Sequence, residues 1–481
     1  MSRRTVLAFD FGASSGRAIK AAFEDGRLDT REIHRFENRP VERDGHLRWD
    51  MPALMEQVHI GLGKAGRFDC VGFDTWGVDF GLVDRSGKLL ELPVHYRDGR
   101  TDGITAQARR IMSARELYAR TGTQILPINT LFQLLALRKQ KPQTLEQADK
   151  LLFMPDLFAH ELCGSLACER SIASTSQLLS LPGGEWDRQV LDAFGLPRSL
   201  FLPTVPSGTV VGVLPGGQKV IAVAGHDTQC AVAALPGAEK EAAFLSCGTW
   251  SLLGCELDEP VLTERSMALG LSNELGANGK VNYLKNIIGL WLIQESRRQW
   301  RREGKDLSYA ELERLALEAK PLRSFIDPDA PAFTPPGDIP ARVKEYCRTS
   351  GQPIPETVGE IMRCIYESLA LKYRYALEQI GRVTQKRFKT LHILGGGTKD
   401  ILLCRMTAAS TGLRVVAGPT EATALGNILI QLVAMGDLAS VEEGRRLIAQ
   451  AEPLREYLPE DTALWDEAYV RYAALLAQRA E

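Results

Sequence analysis

The 481-residue sequence lacks long apolar runs, an excess of either charge and any Cys-x-x-Cys pair. No run approaches the ~20 apolar residues that a membrane-spanning helix needs, so we expect no membrane association. A net charge of −2 gives no electrostatic reason to bind nucleic acid. The nine cysteines are odd in number and scattered, which predicts reduced thiols rather than a disulfide framework. Cys347 and Cys364 are the one pair that could face each other.

We also expect neither a signal peptide nor a low-complexity segment. Met-Ser-Arg-Arg at the start is followed by too few apolar residues for a signal peptide. With 44% hydrophobic and 25% charged residues, the chain has the composition of a globular protein. Its length exceeds one hydrophobic core and favours two large domains. We therefore expect a cytoplasmic protein, and no feature predicts a protein partner.

A central stretch places three small or polar side chains together. The apolar run before Gly225 predicts a strand, His226, Asp227 and Thr228 follow it, and small residues then predict a helix from about Thr228. An Asp at such a turn points its carboxylate into the cleft over the sheet edge, where it can accept a proton. Asp227 is thus a candidate general base. The alternative is an N-cap for the following helix.

The first residues predict a glycine-rich turn between two strands. A buried strand at 5–9 leads to Asp10-Phe-Gly-Ala-Ser-Ser-Gly-Arg17, whose backbone N–H groups could cradle a phosphate. Strands at 18–23 and 28–36 follow, whereas a P-loop or dinucleotide motif would enter a helix. The interpretation is a phosphate loop in a β-meander. A purely structural hairpin is the alternative.

A second group of polar residues follows a predicted helix at about 51–64. The segment 70–80 reads as a strand with Asp74, Thr75, Gly77 and Asp79 at its end and Trp76 beside them. Carboxylates that accept hydroxyl hydrogens, next to an indole floor, suit a sugar or polyol. A polar loop around a core tryptophan fits the same residues.

The outline of the first turn recurs in the second half of the chain. Residues 241–256 again read as strand, glycine-centred hydroxyl turn and strand, with Thr249 in the turn. Two such units predict two related α/β domains around a central cleft, at 1–238 and 239–481. A triphosphate could then be clamped from both sides.

Candidate ligand contacts also occur further along the chain. Asn286 lies between a predicted strand and a helix from Ile287, as an N-cap or a substrate-reaching amide, and Gln294 is by default a solvated helix residue. Three glycines, 395–397, end another strand and predict close approach of a group to the backbone. With the strand at 414–419 and the small-residue helix from Glu421, they predict a seat for adenine and ribose.

Over essentially its whole length the sequence resembles the FGGY family of carbohydrate kinases. That resemblance implies an α/β fold of two ribonuclease-H-like, actin-like ATPase domains. The motifs that carry it are Asp10-Phe-Gly-Ala-Ser-Ser-Gly-Arg17, Glu32-Ile-His-Arg-Phe36, Asp74-Thr-Trp-Gly-Val-Asp-Phe80, His226-Asp-Thr228, Gly248-Thr-Trp-Ser251, Lys285-Asn-Ile287, Gly289-Leu-Trp-Leu292 and Glu421-Ala.

The resemblance implies a role for each matching residue. Asp227 would be the catalytic base, and Asp10 would help to place Mg²⁺. The implied sugar contacts are Gly77, His226, Asp227, Thr228 and Asn286. The implied ATP contacts are Ala13, Ser14, Ser15, Gly16, Arg17, Thr249, Gln294 and Gly396. The N-terminal domain would carry the sugar site, the phosphate loop and the base, and the C-terminal domain would bind nucleotide.

The implied reaction is transfer of the ATP γ-phosphoryl group to the 1-hydroxyl of L-rhamnulose, as a step of L-rhamnose catabolism. The Ala-Ser-Ser-Gly-Arg and Asp-Thr-Trp-Gly-Val-Asp runs favour this sugar. Gly225 and Cys247 stand where relatives often have Ser, which leaves L-fuculose, D-xylulose or another ketose as the alternative. A nucleotide switch without a sugar and a silent sugar sensor are the rivals from other functional classes.

Overall fold

The computed structural model describes residues 3–181, 183–237 and 241–478. The described strands are β1 Arg4–Phe11, β2 Ser15–Glu24, β3 Arg27–Glu37, β4 Val41–Arg43, β5 His46–Arg48, β6 Cys70–Thr75, β7 Phe80–Val83, β8 Lys150–Phe153, β9 Cys168–Glu169, β10 Leu179–Ser180, β11 Glu185–Trp186, β12 Thr204–Val205, β13 Thr209–Val213, β14 Lys219–Ala222, β15 Ala242–Cys247, β16 Trp250–Leu257, β17 Ser272–Leu275, β18 Val281–Ile288, β19 Thr390–Leu394, β20 Arg414–Ala417 and β21 Arg455–Tyr457. The described helices are α1 Met51–Ala65, α2 Ile104–Ala108, α3 Ala114–Thr121, α4 Thr130–Gln140, α5 Pro142–Gln147, α6 Met154–Cys163, α7 Arg170–Ala173, α8 Arg188–Ala193, α9 Asp227–Ala233, α10 Glu264–Ala268, α11 Trp291–Arg302, α12 Tyr309–Glu318, α13 Ile339–Thr349, α14 Val358–Thr384, α15 Ile401–Thr411, α16 Ala422–Ala434, α17 Val441–Ala451 and α18 Thr462–Gln478.

The chain forms two compact units, each built from three separate segments of the sequence. The first unit contains Met1–Ala238, Glu256–Leu284 and Ala422–Glu452. The second contains Glu239–Cys255, Lys285–Glu421 and Pro453–Glu481. A single boundary between 238 and 239 does not describe these units, because two later segments return to the first one. That boundary stays a prediction for the two sequence domains.

The first unit is built on a six-stranded mixed sheet with the order β13-β14-β6-β1-β2-β3. Strands β1, β2 and β3 form the expected antiparallel meander. Strand β6 then runs parallel to β1, and β14 runs parallel to β6. The carboxyl ends of β1, β6 and β14 therefore meet at one edge of the sheet, and the candidate residues of this unit follow those ends.

Aromatic side chains form the core on one face of this sheet. Phe9 of β1 stacks on Phe73 of β6, with ring centroids 5.2 Å apart, and Phe73 stacks on Phe158 of α6 at 5.7 Å. All three side chains are at most 3% exposed. Burial of rings of this size contributes about 1.5–3 kcal/mol each relative to exposure. This packing fixes the strands whose ends carry the candidate site.

The second unit repeats the same arrangement. Strands β15 and β16 form an antiparallel hairpin, while β19 runs parallel to β15 and β20 runs parallel to β19. Strand β21 closes the edge antiparallel to β20. Both units thus combine a hairpin with neighbouring parallel strands. The expected duplication of an α/β unit is confirmed.

Several elements differ from the sequence expectation. The predicted strand over 70–80 is broken after Thr75, because Val78 adopts a φ of +65° in a tight turn before β7. Helix α11 begins at Trp291 rather than Ile287, so Asn286 lies in strand β18 and is no N-cap. The short strands β8 and β21 were not predicted. Among the described residues, no helix combines the length and apolar character needed to cross a bilayer.

Candidate active site

Asp227 is the first residue of helix α9, and His226 occupies the N-cap position without a side-chain capping bond. The alternative in which Asp227 caps the helix is therefore wrong. One carboxylate oxygen, Oδ1, accepts hydrogen bonds from the Thr228 backbone N–H at 2.6 Å and the Thr228 hydroxyl at 3.3 Å. The other oxygen, Oδ2, takes part in no hydrogen bond within the described part of the chain. The side chain is 30% exposed, so Oδ2 can meet a ligand.

A buried carboxylate fixes the backbone just before Asp227. Glu169 is 1% exposed, and its Oε2 accepts hydrogen bonds from the backbone N–H groups of Gly225 at 2.9 Å and Ile172 at 3.0 Å and from the Ser171 hydroxyl. A Cβ at Gly225 would lie 2.9 Å from Cγ of Pro155, so only glycine fits this turn without a shift. Sequence reasoning did not single out Glu169.

His226 stands between two carboxylates. Its Nδ1 lies 2.9 Å from Oε2 of Glu274, and its Nε2 lies 3.4 Å from Oδ1 of Asp227. Burial would lower the pKa of His226, but Glu274 and Asp227 outweigh it and raise that pKa above its ordinary value. Burial also raises the pKa of Asp227 to about 6, against the opposing effect of His226. An Asp with such a pKa is mostly ionised at neutral pH and can still take up a proton.

The predicted phosphate loop is a tight turn between β1 and β2. The Gly12 N–H donates to Ser15 O at 2.9 Å, and Ser14 is exposed at the tip. Gly16 packs beneath the ring of Phe36, where a Cβ would come within 2.2 Å of it. Ala13 and Ser15 are half-buried. The turn thus presents backbone and hydroxyl groups to a ligand, as the phosphate interpretation requires.

Asp10 and Asp74 are the penultimate residues of the neighbouring strands β1 and β6 and are aligned in register. Oδ2 of Asp10 accepts two hydrogen bonds from Arg17, at 2.6 and 2.9 Å. Asp74 is completely buried, and its Oδ2 accepts from Nδ2 of Asn427 at 2.6 Å. Burial and nearby Asp10 raise the pKa of Asp74 well above its ordinary value. Mutual repulsion of these carboxylates makes the sheet edge favourable for a cation.

The chemistry of Asp10 fits a magnesium ion that arrives with a nucleotide. Its Oδ1 takes part in no hydrogen bond among the described residues, so one carboxylate oxygen remains available. The described residues contain no group of three or more His, Cys, Asp or Glu side chains that could form a complete metal cage. Mg²⁺ at phosphate sites commonly uses one or two carboxylates together with phosphate oxygens, so one protein ligand suffices.

Gly77 and Asp79 both lie in the turn between β6 and β7, but their surroundings differ. Gly77 is half-buried beside Thr175, which its Cβ would approach to 3.2 Å. Asp79 is completely buried, and its Oδ2 accepts hydrogen bonds from the indoles of Trp49 at 2.7 Å and Trp76 at 3.0 Å. Trp76 is only 5% exposed. The polar-loop alternative therefore holds for Asp79 and Trp76, while Gly77 stays a candidate contact.

In the second unit, the turn between β15 and β16 brings Thr249 to helix α11. The Thr249 hydroxyl lies 3.4 Å from Oε1 of Gln294, and the Thr249 carbonyl accepts the N–H groups of Gly289 and Trp291. Gln294 is half-buried rather than fully solvated. The structure thus brings together two residues that are 45 positions apart in the sequence. Asn286, half-buried in β18, belongs to the same unit.

The three glycines after β19 differ in their surroundings. Gly395 adopts a φ of +80°, which favours glycine. A Cβ on Gly397 would lie 2.2 Å from Sγ of Cys247, so the close approach at this position comes from the protein itself. Gly396 is exposed, and its Cβ would meet no heavy atom within 4 Å. Gly396 is therefore the member that a ligand could reach.

The small-residue helix α16, part of the adenine seat that the sequence suggested, makes close contacts within the protein. It belongs to the first unit and packs against α9, where a Cβ on Gly426 would lie 1.8 Å from the Cys230 carbonyl oxygen. Asn427 and Gln431 extend from it to Asp74 and to the carbonyl of Leu7. At these positions the small residues permit close helix packing, and the adenine seat stays a prediction.

Family models match both halves of the chain. The N-terminal domain model of the FGGY family of carbohydrate kinases matches residues 5–244, and the C-terminal domain model matches residues 243–435. Proteins named rhamnulokinase from Bacteroides thetaiotaomicron and Enterococcus faecalis are 43% and 39% identical, over 98% and 95% of this chain and 99% and 94% of theirs. The chain belongs to the FGGY family of carbohydrate kinases.

Solved structures share the fold at low sequence identity. The gluconate kinase from Lactobacillus acidophilus matches with a TM-score of 0.80 at 16% identity, over 98% of both chains. A ligand-bound xylulose kinase from the same organism matches with a TM-score of 0.79 at 16% identity, over 99% of this chain and 98% of its own. The fold is therefore the two-domain α/β fold of sugar kinases, as the resemblance implied.

Proposed function

We propose that the protein transfers the γ-phosphoryl group of ATP to the 1-hydroxyl of L-rhamnulose, giving L-rhamnulose 1-phosphate and ADP. The observation that carries this proposal is Asp227, which keeps one oxygen accessible at the start of α9 and has a pKa near 6. The near full-length identity to proteins named rhamnulokinase supports the choice of sugar. The reaction would serve L-rhamnose catabolism, and use of ATP agrees with the expected cytoplasmic location.

In the proposed mechanism, Oδ2 of Asp227 accepts the proton of the sugar hydroxyl. The hydroxyl oxygen forms its bond to the γ-phosphorus as the bond from that phosphorus to the ADP oxygen breaks. Thr228 orients the carboxylate through Oδ1, which leaves Oδ2 for the proton. The transition state is loose, so alignment and charge stabilisation provide most of the catalysis. A general base contributes about 10²–10⁴-fold.

The remaining candidate residues have proposed roles in binding. In the first unit, Ala13–Arg17 would contact the phosphates of ATP, and Asp10 would hold Mg²⁺ that accompanies them. The ion, when bound, would neutralise phosphate charge. Gly77, His226 and Thr228 would contact the sugar. In the second unit, Thr249, Gln294 and Gly396 would contact ATP, and Asn286 would contact the sugar.

We assign these roles to sequence domains at 1–238 and 239–481. The first would bind the sugar and supply the base, and the second would bind nucleotide. Support comes from the repeated topology and from the two family models, whose matches meet near residue 244.

The first test is sugar-dependent ADP release with magnesium-ATP, measured by chromatography of quenched samples. L-rhamnulose, L-fuculose, D-xylulose and no sugar are compared. We expect a clear preference for L-rhamnulose. Faster turnover of another ketose would keep the kinase and replace the substrate, while sugar-independent ADP release would favour a nucleotide switch. Sugar binding without turnover would favour a sensor.

The second test replaces the base. Asp227→Asn removes proton acceptance at the same shape, so we expect turnover to fall at least ~10²-fold with ATP binding retained. The matched control is Asp192→Asn, because Asp192 is 55% exposed and pairs only with Arg198 among the described residues. The control should keep the wild-type rate. A D227N variant with near-wild-type turnover would refute the assignment of the base.

A further inference from the structure

Glu274 is a buried residue without an assigned role, and it contacts His226, the residue before the candidate base Asp227. Glu274 lies in strand β17 and is 4% exposed. Its Oε2 lies 2.9 Å from Nδ1 of His226 and accepts a hydrogen bond from Nε2 of Gln229 at 2.7 Å. Gln229 is itself held by the amide of Asn282 from strand β18. The Glu274 carboxylate is therefore fixed in place by two elements of the first unit.

The contacts form a chain from Glu274 through the imidazole to the base. Nδ1 of His226 faces Glu274, and Nε2 lies 3.4 Å from Oδ1 of Asp227. A carboxylate at Nδ1 holds the proton on that nitrogen and fixes the plane of the ring. Nε2 then points at the oxygen of Asp227 that Thr228 also holds. The Glu274 carboxylate contacts His226 and Gln229, so its contact route to Asp227 runs through His226.

We propose that Glu274 is a positioning residue, which keeps His226 protonated and oriented so that Asp227 stays ionised with Oδ2 free for the sugar hydroxyl. This inference rests on the proposed role of Asp227 in the kinase reaction. It extends that role by a residue that does not contact substrate.

The charges around the histidine support this arrangement. Burial disfavours the imidazolium, whereas the carboxylates of Glu274, Asp227 and Glu169 favour it and raise the pKa of His226. Without the Glu274 carboxylate, fewer negative charges would stabilise the imidazolium of His226 against the effect of burial. The imidazole would then lose its proton at a lower pH. A neutral imidazole no longer stabilises the Asp227 anion.

Other acidic groups face Asp227 and make the imidazolium necessary. Burial raises the pKa of Asp227, His226 opposes this, and Asp10 adds to it. Asp74 interacts with the same carboxylate, and Arg17 donates two hydrogen bonds to Asp10. The positive charge that opposes this rise in the pKa of Asp227 is that of His226, whose Nε2 lies 3.4 Å from Oδ1. Loss of that charge must raise the pKa of Asp227.

The test compares Glu274→Gln with the wild type. Glutamine keeps the size of the side chain and removes its charge. We expect the pKa of His226 to fall by about one unit or more, and the acid limb of the kcat profile to move from about pH 6 towards about pH 7. At pH 6 this shift alone reduces kcat about fivefold, while at pH 8.5 it has almost no effect.

Two readouts separate the inference from the proposed function. Proton NMR of the ligand-free protein titrates the His226 ring directly, and loss of one signal in His226→Gln identifies it among the seven histidines. A fall of this pKa in E274Q supports the inference even if the wild type phosphorylates no tested sugar. An unchanged pKa of His226 overturns it, whatever the activity.

The matched control is Glu367→Gln. Glu367 is also buried, at 1% exposure, and its oxygens accept hydrogen bonds from the Leu322 N–H and from Arg363, but it belongs to the second unit. We expect E367Q to lower stability without moving the acid limb. A shift of equal size in E367Q would mean that any lost buried carboxylate acts this way, which would overturn the inference.

A second variant keeps the inference testable if E274Q does not fold. Because Glu274 acts through the imidazole, His226→Gln alone should move the acid limb at least as far, despite a lower plateau rate from the lost sugar contact. Where E274Q does fold, adding it to H226Q should move the limb no further. An acid limb of H226Q that stays at the wild-type pH would overturn the inference.

Discussion

Replacement of Gly426 by alanine tests whether α9 and α16 are in backbone contact. A Cβ at this position would lie 1.8 Å from the carbonyl oxygen of Cys230 and 2.6 Å from its carbonyl carbon. Ordinary contacts begin near 3.4 Å. Both opposing atoms are backbone, so no side-chain rotation relieves the overlap, and the two helices must move apart.

The magnitude follows from two opposed effects. Overpacking of a close-packed site costs about 1–3 kcal/mol, and the upper end applies because the obstacle is backbone. Alanine has a helix propensity about 1 kcal/mol better than glycine, which offsets part of this. We expect a net loss of about 2 kcal/mol and a melting temperature lower by about 2–4 °C. Because Asp227 is the first residue of α9, kcat should fall further than the stability alone implies.

The control is the same substitution where nothing opposes the methyl group. Gly63 lies in helix α1, is exposed, and its Cβ would meet no heavy atom within 4 Å. Gly63→Ala should therefore be neutral or stabilising, by up to about 1 kcal/mol. Thermal unfolding followed by circular dichroism measures both variants, and initial rates at 25 °C measure kcat. A G426A protein as stable and as active as G63A would refute the close approach of the helices.

Two further substitutions test buried charges. Burial raises the pKa of Asp79 to about 6, so stability is lost as pH rises towards 6. Between pH 5 and 7 the wild type should lose about 1 kcal/mol of unfolding free energy relative to Asp79→Asn, measured by urea unfolding. A difference in unfolding free energy that stays constant with pH would contradict this. Arg17→Met removes both hydrogen bonds to Asp10 and a positive charge at the phosphate loop. Calorimetry should therefore show that ATP binds about tenfold more weakly. Unchanged ATP affinity would exclude Arg17 from the ATP site.

Local sequence patterns predicted the elements that carry the candidate site. The turn of Asp10–Arg17 between two strands, its repeat around Thr249 and the turn before α9 all depend on residues that are close in sequence. Apolar alternation and glycine position are sufficient signals for such elements. The topology beyond them followed from the family resemblance rather than from these patterns.

The residues that support Asp227 were not predictable from local patterns. His226 meets Glu274 across 48 positions, and Gly225 meets Glu169 across 56. A charged residue within a strand such as β17 is a weak signal of a buried partner, since most glutamates are exposed. Only the fold brings these carboxylates to the turn.

Small residues gave an ambiguous signal for a physical reason. Glycine is needed wherever another group approaches the backbone, and the sequence does not specify whether that group is a ligand or the protein itself. At Gly426 the group is the Cys230 carbonyl, and at Gly397 it is the Cys247 thiol. Gly396 has no such neighbour. The adenine prediction treated these glycines alike, whereas their immediate neighbours differ from one position to the next.

Asp79 and Asp227 show why a raised pKa does not by itself identify a catalytic base. Burial raises the pKa of each to about 6, and each follows a strand of the same sheet, Asp79 in a turn and Asp227 as the first residue of α9. Both oxygens of Asp79 accept hydrogen bonds from protein groups, Trp49 and Trp76 among them, and the side chain is inaccessible. The Asp227 side chain is 30% exposed, and the protein groups that hold it meet Oδ1. An accessible, uncommitted oxygen is what distinguishes the candidate base from the structural carboxylate.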